Sequence, residues 1–256
     1  MKLAIALSAG AMMTIAGSAL AVEIASQDFN SLDDSGTFTL DAFVGSGTLT
    51  NSGASNAGGG GMDFVTNWFE TRGTTGPNDG NEGSDFIGVN SFSGNNSPDV
   101  GPTGVAVASG VEHNYEFNDG DGRLELTFAA VDASGYTDVE VSFNYWITDT
   151  TWESNDFFSA TLSDGVGSVS IFNWGELSLE ANVSPDDGSN NWGLMSISNV
   201  ETLGLDMSNL ILTISVDNNS GAENIFVDSI SINGIPSPGA FALLGVAGLA
   251  GLRRRR

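Results

Sequence analysis

A length of 256 residues allows one large all-β domain or two small ones, and with no cysteine the fold must be held by its core rather than by disulfides. All 32 acidic residues fall between positions 23 and 228, where only Arg72 and Arg123 are basic, so the body carries a side-chain charge of −30. Such a surface repels phosphate backbones and anionic lipid headgroups, which excludes nucleic-acid binding and disfavours docking on a lipid surface. Its carboxylates must be hydrated, screened by salt or matched with cations, calcium first among the divalent ones.

In chain order, residues 1–21 read MKLAIALSAGAMMTIAGSALA. Lys2 supplies a positive start, 3–16 is apolar, and Ala19-Leu20-Ala21 is a small-residue cleavage site. This order predicts a secretory signal peptide, with Val22 or Glu23 as the mature start.

Residues 22–235 then predict a single antiparallel β-sandwich. Val139, Val141, Phe143, Tyr145 and Ile147 share one parity; Leu124, Leu126 and Phe128 alternate with Arg123, Glu125 and Thr127; Leu210, Leu212, Ile214 and Val216 repeat the pattern. Each run fits a strand with one buried and one wet face. Shorter strands are predicted over 37–44, 62–69, 84–90, 112–117, 157–163, 166–174, 193–200 and 223–233. Turn clusters separate them: Asn118-Asp-Gly-Asp-Gly, Ser163-Asp-Gly, Asp186-Asp-Gly and Asn218-Asn-Ser-Gly. About a dozen short strands with polar turns argue for two packed sheets, most simply a jelly roll. The Gly/Asn/Asp-rich stretches 51–61 and 73–83 are expected as long loops, and the turn at 118–122 as a hairpin.

The loop Trp152-Glu153-Ser154-Asn155-Asp156 joins an aromatic face to two carboxylates. That composition suits either a sugar-stacking ligand site at Trp152, Glu153 and Asp156 or a covered sandwich edge. Trp146 interrupts the inward series of its strand, which places it on the outer face of a sheet.

The last strand, ENIFVDSISIN over 223–233, puts Asp228 on the same parity as Phe226, Ile230 and Ile232. If that parity faces the core, an unpaired carboxylate costs several kcal/mol and calls for a cation. If a bulge turns it outward, Asp228 is a turn or cap residue. The aromatic-x-Asp-x-hydrophobic ending resembles the jelly-roll carbohydrate-binding superfamily. That resemblance implies a structural calcium between the last strand and the first, with Glu23, Asp28 and Asn30 as the partners of Asp228.

His113 is the one histidine and cysteine is absent, so the sequence offers neither a histidine cluster for zinc nor a cysteine nucleophile; a Ser-His-Asp triad would have to use His113, which lies in a strand-like run with no nucleophile elbow near it. The remaining enzymatic chemistry is a carboxylate pair acting on a glycoside.

The C-terminus, IPSPGAFALLGVAGLAGLRRRR, has an apolar run over 239–252 followed by Arg253, Arg254, Arg255 and Arg256. As a helix the run reaches about 21 Å, short of the ~30 Å hydrocarbon core, so it suits a transient signal better than a lasting anchor. The proline-x-proline entry at Pro236, Ser237 and Pro238, the Leu/Ala/Gly helix and the terminal arginines resemble the PEP-CTERM sorting tail. Ser237 departs from that pattern, which carries glutamate between the prolines. The resemblance implies an exosortase-like sorting protease and transient inner-membrane insertion through 236–256.

Together these features predict an exported, non-catalytic cell-envelope or matrix protein with a calcium-stabilised sandwich, associated with exopolysaccharide. The alternatives are a dedicated carbohydrate-binding module, which needs an exposed aromatic groove, and a glycan-active enzyme, which needs a cleft with a carboxylate pair.

Overall fold

The computed structural model describes residues 20–29, 47–48, 62–73, 86–91, 113–148, 152–184, 192–221 and 223–237. In chain order the strands are β1 (Val22–Gln27), β2 (Gly47–Thr48), β3 (Phe64–Phe69), β4 (Phe86–Ser91), β5 (His113–Asn118), β6 (Gly122–Phe128) and β7 (Tyr136–Ile147). They continue as β8 (Phe157–Ser163), β9 (Ser168–Gly175), β10 (Gly193–Ile197), β11 (Ile211–Asn218) and β12 (Asn224–Pro236). A helix, α1 (Glu176–Ala181), follows β9, and a 3-10 turn covers Val200–Thr202.

The strands form two antiparallel six-stranded sheets. The first runs β10-β7-β12-β5-β4, with β1 paired to the C-terminal half of β12; the second runs β2-β3-β6-β11-β8-β9. From β5 onward, β5-β12-β7-β10 therefore packs on β6-β11-β8-β9, which is jelly-roll order. The architecture is the all-β sandwich that the alternation predicts.

Alternation sets the core. Leu124, Leu126 and Phe128 from β6, Val139, Val141 and Phe143 from β7, and Leu212, Ile214 and Val216 from β11 are all buried in one cluster shared by both sheets. Each such side chain contributes about 1.5–3 kcal/mol of apolar burial. At one end Tyr115 lies against Phe29, Phe64 and Phe117, and its hydroxyl hydrogen-bonds Thr66 across the two sheets. Towards the other, Phe158, Phe172, Trp174, Phe143 and Tyr145 pack edge to face.

Three expectations change. β5 and β6 belong to different sheets, so the turn between Asn118 and Gly122 is a corner rather than a hairpin. Asp119 and Asp121 take positive φ there (50° and 48°), a conformation short polar side chains tolerate. In β12, Ile225 and Val227 face the core, whereas Phe226 leaves it to pack with Trp146 and Trp192. A bulge after Asp228, with Ser229 at φ 52°, then returns Ile230 and Ile232 to the core. Asp228 thus shares the outer side with Phe226 and yet is fully buried. Trp146 does lie on the outer face, as predicted. Helix α1 was not expected. Its residues are mostly good helix formers, but it is only six residues long and has no capping side chain to mark its start.

The segment 1–19, the strand predicted over 37–44, Asn30, the loops 51–61 and 74–83, the Asp186-Asp-Gly turn, Pro238 and residues 239–256 lie outside the described residues. Among those described, no helix is long and apolar enough to cross a membrane.

Candidate functional site

The outer face of the second sheet is open. Because Leu124, Leu126, Ile214, Val216 and Phe158 turn inward, their neighbours Arg123, Glu125, Ser215, Phe157 and Ser159 turn out. Register then lines them up: Glu125 pairs with Ser215, Ser215 with Ser159, and Ser159 with Asn173. With Arg123 and Phe157 in the next row, they line a shallow depression of about 220 Å³ crossing four strands. Arg123 is held over the Phe69 ring, 4.5 Å from its centroid, and lies 3.2 Å from Glu125 Oε1. Its side chain keeps 38% of its exposure, although its Nε is buried against Phe69 and Glu125.

Over β5 and the first half of β12 the outer face of the first sheet is closed by contrast, whereas Leu194 on β10 stays exposed. Asn114, Asn118, Asn224, Phe226 and Asp228 are all buried, and Asn118 donates its amide to Asn224 Oδ1 and, at 3.0 Å, to the Gly221 carbonyl.

Beyond one end of the open face, three separate loops converge on Arg72, just past β3. Its Nε donates to Asp217 Oδ1 at 2.5 Å, and its Nη2 donates to Asp156 Oδ1. Thr71 donates its hydroxyl to the second Asp217 oxygen at 2.7 Å. Asn219, with its amide oriented to suit its neighbours, accepts from Arg72 Nη1 at 3.2 Å and donates to Glu153 Oε2 at 3.1 Å. The Glu153 amide closes the 153–156 turn by donating to Asp156 Oδ2 at 2.5 Å.

Glu223 completes this group: carboxylate oxygens of Glu153, Asp156 and Glu223 lie within 4.8 Å of one another. Glu223 is fully buried, and its Oε1 has no hydrogen-bond partner. Burial, with the charges of Asp156 and Glu153 added, pushes its carboxyl up to about 8. Burial also raises Asp156 to about 6, against the pull of Arg72.

The sequence-predicted residues fall as follows. Trp152 is 3% exposed and packs in the main core, so its ring offers no stacking face. Glu153 and Asp156 do meet, but around Arg72 and Glu223 rather than around a sugar-sized opening. Of the predicted calcium partners, Asp28 lies near Asp228 and, secondary to burial, its charge helps raise that carboxyl to about 7. Glu23 does not join them. It is exposed, accepts the Ser26 hydroxyl at 2.9 Å and pairs across the sheet with Asn233, about 16 Å of extended strand from Asp28. Asn30 lies outside the described residues, so of the predicted set the structure brings Asp28 and Asp228 together and leaves Glu23 apart. Pro236 ends β12, and the Ser237 amide donates to the Gly135 carbonyl at 2.9 Å, so the predicted tail starts where the sandwich stops.

Sequence reasoning passed over Arg72, Asp217, Asn219, Glu223 and the groove residues. The available signal was the scarcity of cations: two arginines in a body of 32 carboxylates must each be contested by acidic neighbours.

No protein-family model matches the chain, and no curated protein matches it. Several solved structures are similar to it at low levels. A carbohydrate-binding module, TmCBM61, in complex with β-1,4-galactotriose is 16% identical with a TM-score of 0.36, covering 57% of this chain and 80% of that one. The K3 adhesin domain of Lys-gingipain from Porphyromonas gingivalis is 10% identical with a TM-score of 0.42, covering 84% and 99%. The xylan-binding module CBM15 is 10% identical with a TM-score of 0.33, covering 59% and 97%. At scores this low the fold assignment stands on the chain's own strand order.

Proposed function

We propose that this chain is an exported, non-catalytic sandwich that binds polysaccharide in the open groove of its second sheet. One observation carries the reading. Arg123, Glu125, Ser159, Asn173 and Ser215 bring charged, hydroxyl and amide groups to one shallow surface, with the half-buried Phe157 ring beside them. A hydroxyl-rich, flat-faced ligand uses such a mixture, whereas apolar small molecules take deeper and more apolar pockets. The charge of −30 on the body favours a neutral glycan over a polyanionic one.

The placement of the described carboxylates supports binding without cleavage. Glycoside hydrolysis needs two flanking the bond, and the groove lining has one, Glu125. Three carboxyls have raised pKa and all are buried away from the groove: Asp156 and Glu223 in the cluster at Arg72, where only Glu153 is exposed, and Asp228 beside Asp28. A sugar ring has no path between them.

The terminal segments support export and display. A signal peptide ending at Ala21 would place β1 at the mature start, and a sorting tail from Pro236, processed by an exosortase-like protease, would release or attach the domain just past β12.

Affinity gel electrophoresis with soluble neutral polysaccharides (a β-galactan, a xylan, a dextran) tests the reading, alongside an assay for new reducing ends. We expect retardation by at least one polymer and no reducing ends. Migration unchanged by every polymer, or released reducing ends, contradicts it.

A further inference from the structure

We propose that Glu153, Asp156 and Glu223 form a binding site for a divalent, oxygen-preferring cation of the calcium class. The site is separate from the Asp228–Asp28 pair and stands independently of the glycan reading.

Three observations carry it. First, the carboxylate oxygens of all three residues fall within 4.8 Å of one another, and among the described residues no other group of three acidic or histidine side chains does so. Second, among the described residues Arg72 is the single cation beside four carboxylates, and it is committed to Asp156 and Asp217. Third, Glu223 is fully buried and keeps Oε1 without a hydrogen-bond partner, while Oε2 receives a 3.4 Å contact from the Asn219 backbone N–H. Two carboxylates at this range are reconciled by a shared proton or by a cation, since neither can donate to the other when ionised.

The donor set selects the ion. All three ligands are carboxylate oxygens, with neither sulfur nor imidazole, which suits calcium and its tolerance of irregular geometry. The exposed Glu153 gives the ion a route in, and water can complete its shell on that side. A bound ion would clamp the 152–156 turn to the β11–β12 turn, two segments otherwise joined through Arg72 and Asn219.

Isothermal titration of the EDTA-stripped full chain with calcium chloride tests the assignment, with magnesium chloride as the comparison. We expect one calcium site with Kd of about 10⁻⁴–10⁻³ M and weaker magnesium binding. Saturating calcium should raise the melting temperature by at least about 2 °C. Glu223→Gln and Glu153→Gln should each weaken calcium binding at least tenfold, and Asp228→Asn should leave it unchanged. Because Glu153 is exposed, its variant remains informative even if Glu223→Gln folds poorly. Absence of calcium binding to the wild type, retention of full affinity in Glu153→Gln, or loss of binding in Asp228→Asn overturns the proposal.

Discussion

Arg72 donates from Nε to Asp217 Oδ1 at 2.5 Å, tying one of the body's two arginines to the end of β11. The same guanidinium holds Asp156, so three loops at that end of the sandwich share one counter-charge. The side chains involved are 7%, 6% and 0% exposed, well inside the range where removing one partner strands the other.

Arg72→Ala is therefore expected to lower unfolding free energy by about 3–5 kcal/mol, because two buried carboxylates lose their cation. Arg123→Ala, whose pair with Glu125 is 38% and 26% exposed, should cost no more than about 1 kcal/mol. Urea denaturation of both variants checks the contrast. Equal losses would show that the Arg72 pairs are worth no more than a surface bridge.

Stability of the metal-free chain should fall as pH rises. Burial holds Asp228 at about 7 and Glu223 at about 8, both above their unfolded values of roughly 4. A carboxyl raised on folding binds its proton more tightly in the native state. Its stabilising effect is complete below about pH 4 and is lost as pH climbs through 7 to 8. Melting temperatures in EDTA at pH 5 and pH 8 test this. A higher value at pH 8 contradicts it.

Asp228→Asn isolates one share of that slope. The amide keeps an oxygen to accept the Ser229 N–H, which donates to Asp228 Oδ1 at 2.5 Å, and removes the buried charge beside Asp28. The variant should match wild type at pH 5, melt higher at pH 8 and show a flatter pH profile. A lower melting temperature at pH 8 that appears only with calcium present would instead restore the ion site predicted at Asp228.

Much of the sandwich was legible because alternation is a local property. The inward parity of Val139, Val141 and Phe143, and the limits of β8 at 157–163, follow from residue type alone. The sequence leaves the side of Asp228 open between the core and a bulge because nothing about Ser229 announces a positive φ, and that one residue puts Phe226 and Asp228 on the opposite side from Ile230 and Ile232. For Trp152 the sequence leaves a ligand face and a covered edge both open, because an isolated tryptophan in a polar loop does not show which way it folds; the structure takes it into the core. The cluster was illegible for a different reason. Arg72, Glu153, Asp156 and Glu223 come from segments some 70 to 150 residues apart, brought together only by the order of β3, β8, β11 and β12. The groove lies between these cases: the outward parity of Arg123 and Glu125 was visible, but not which strands would lie beside them.

The most direct test of the central claim is polysaccharide affinity in a variant that strips the groove while sparing the core. Arg123→Ala, Phe157→Ala and Asn173→Ala combined remove a cation, a ring and an amide from three of the four strands that line the open face. The account predicts that gel retardation by the bound polymer disappears in the triple variant while its circular dichroism spectrum stays that of the wild type. Retardation equal to wild type in a folded triple variant would place the binding surface elsewhere and contradict the account.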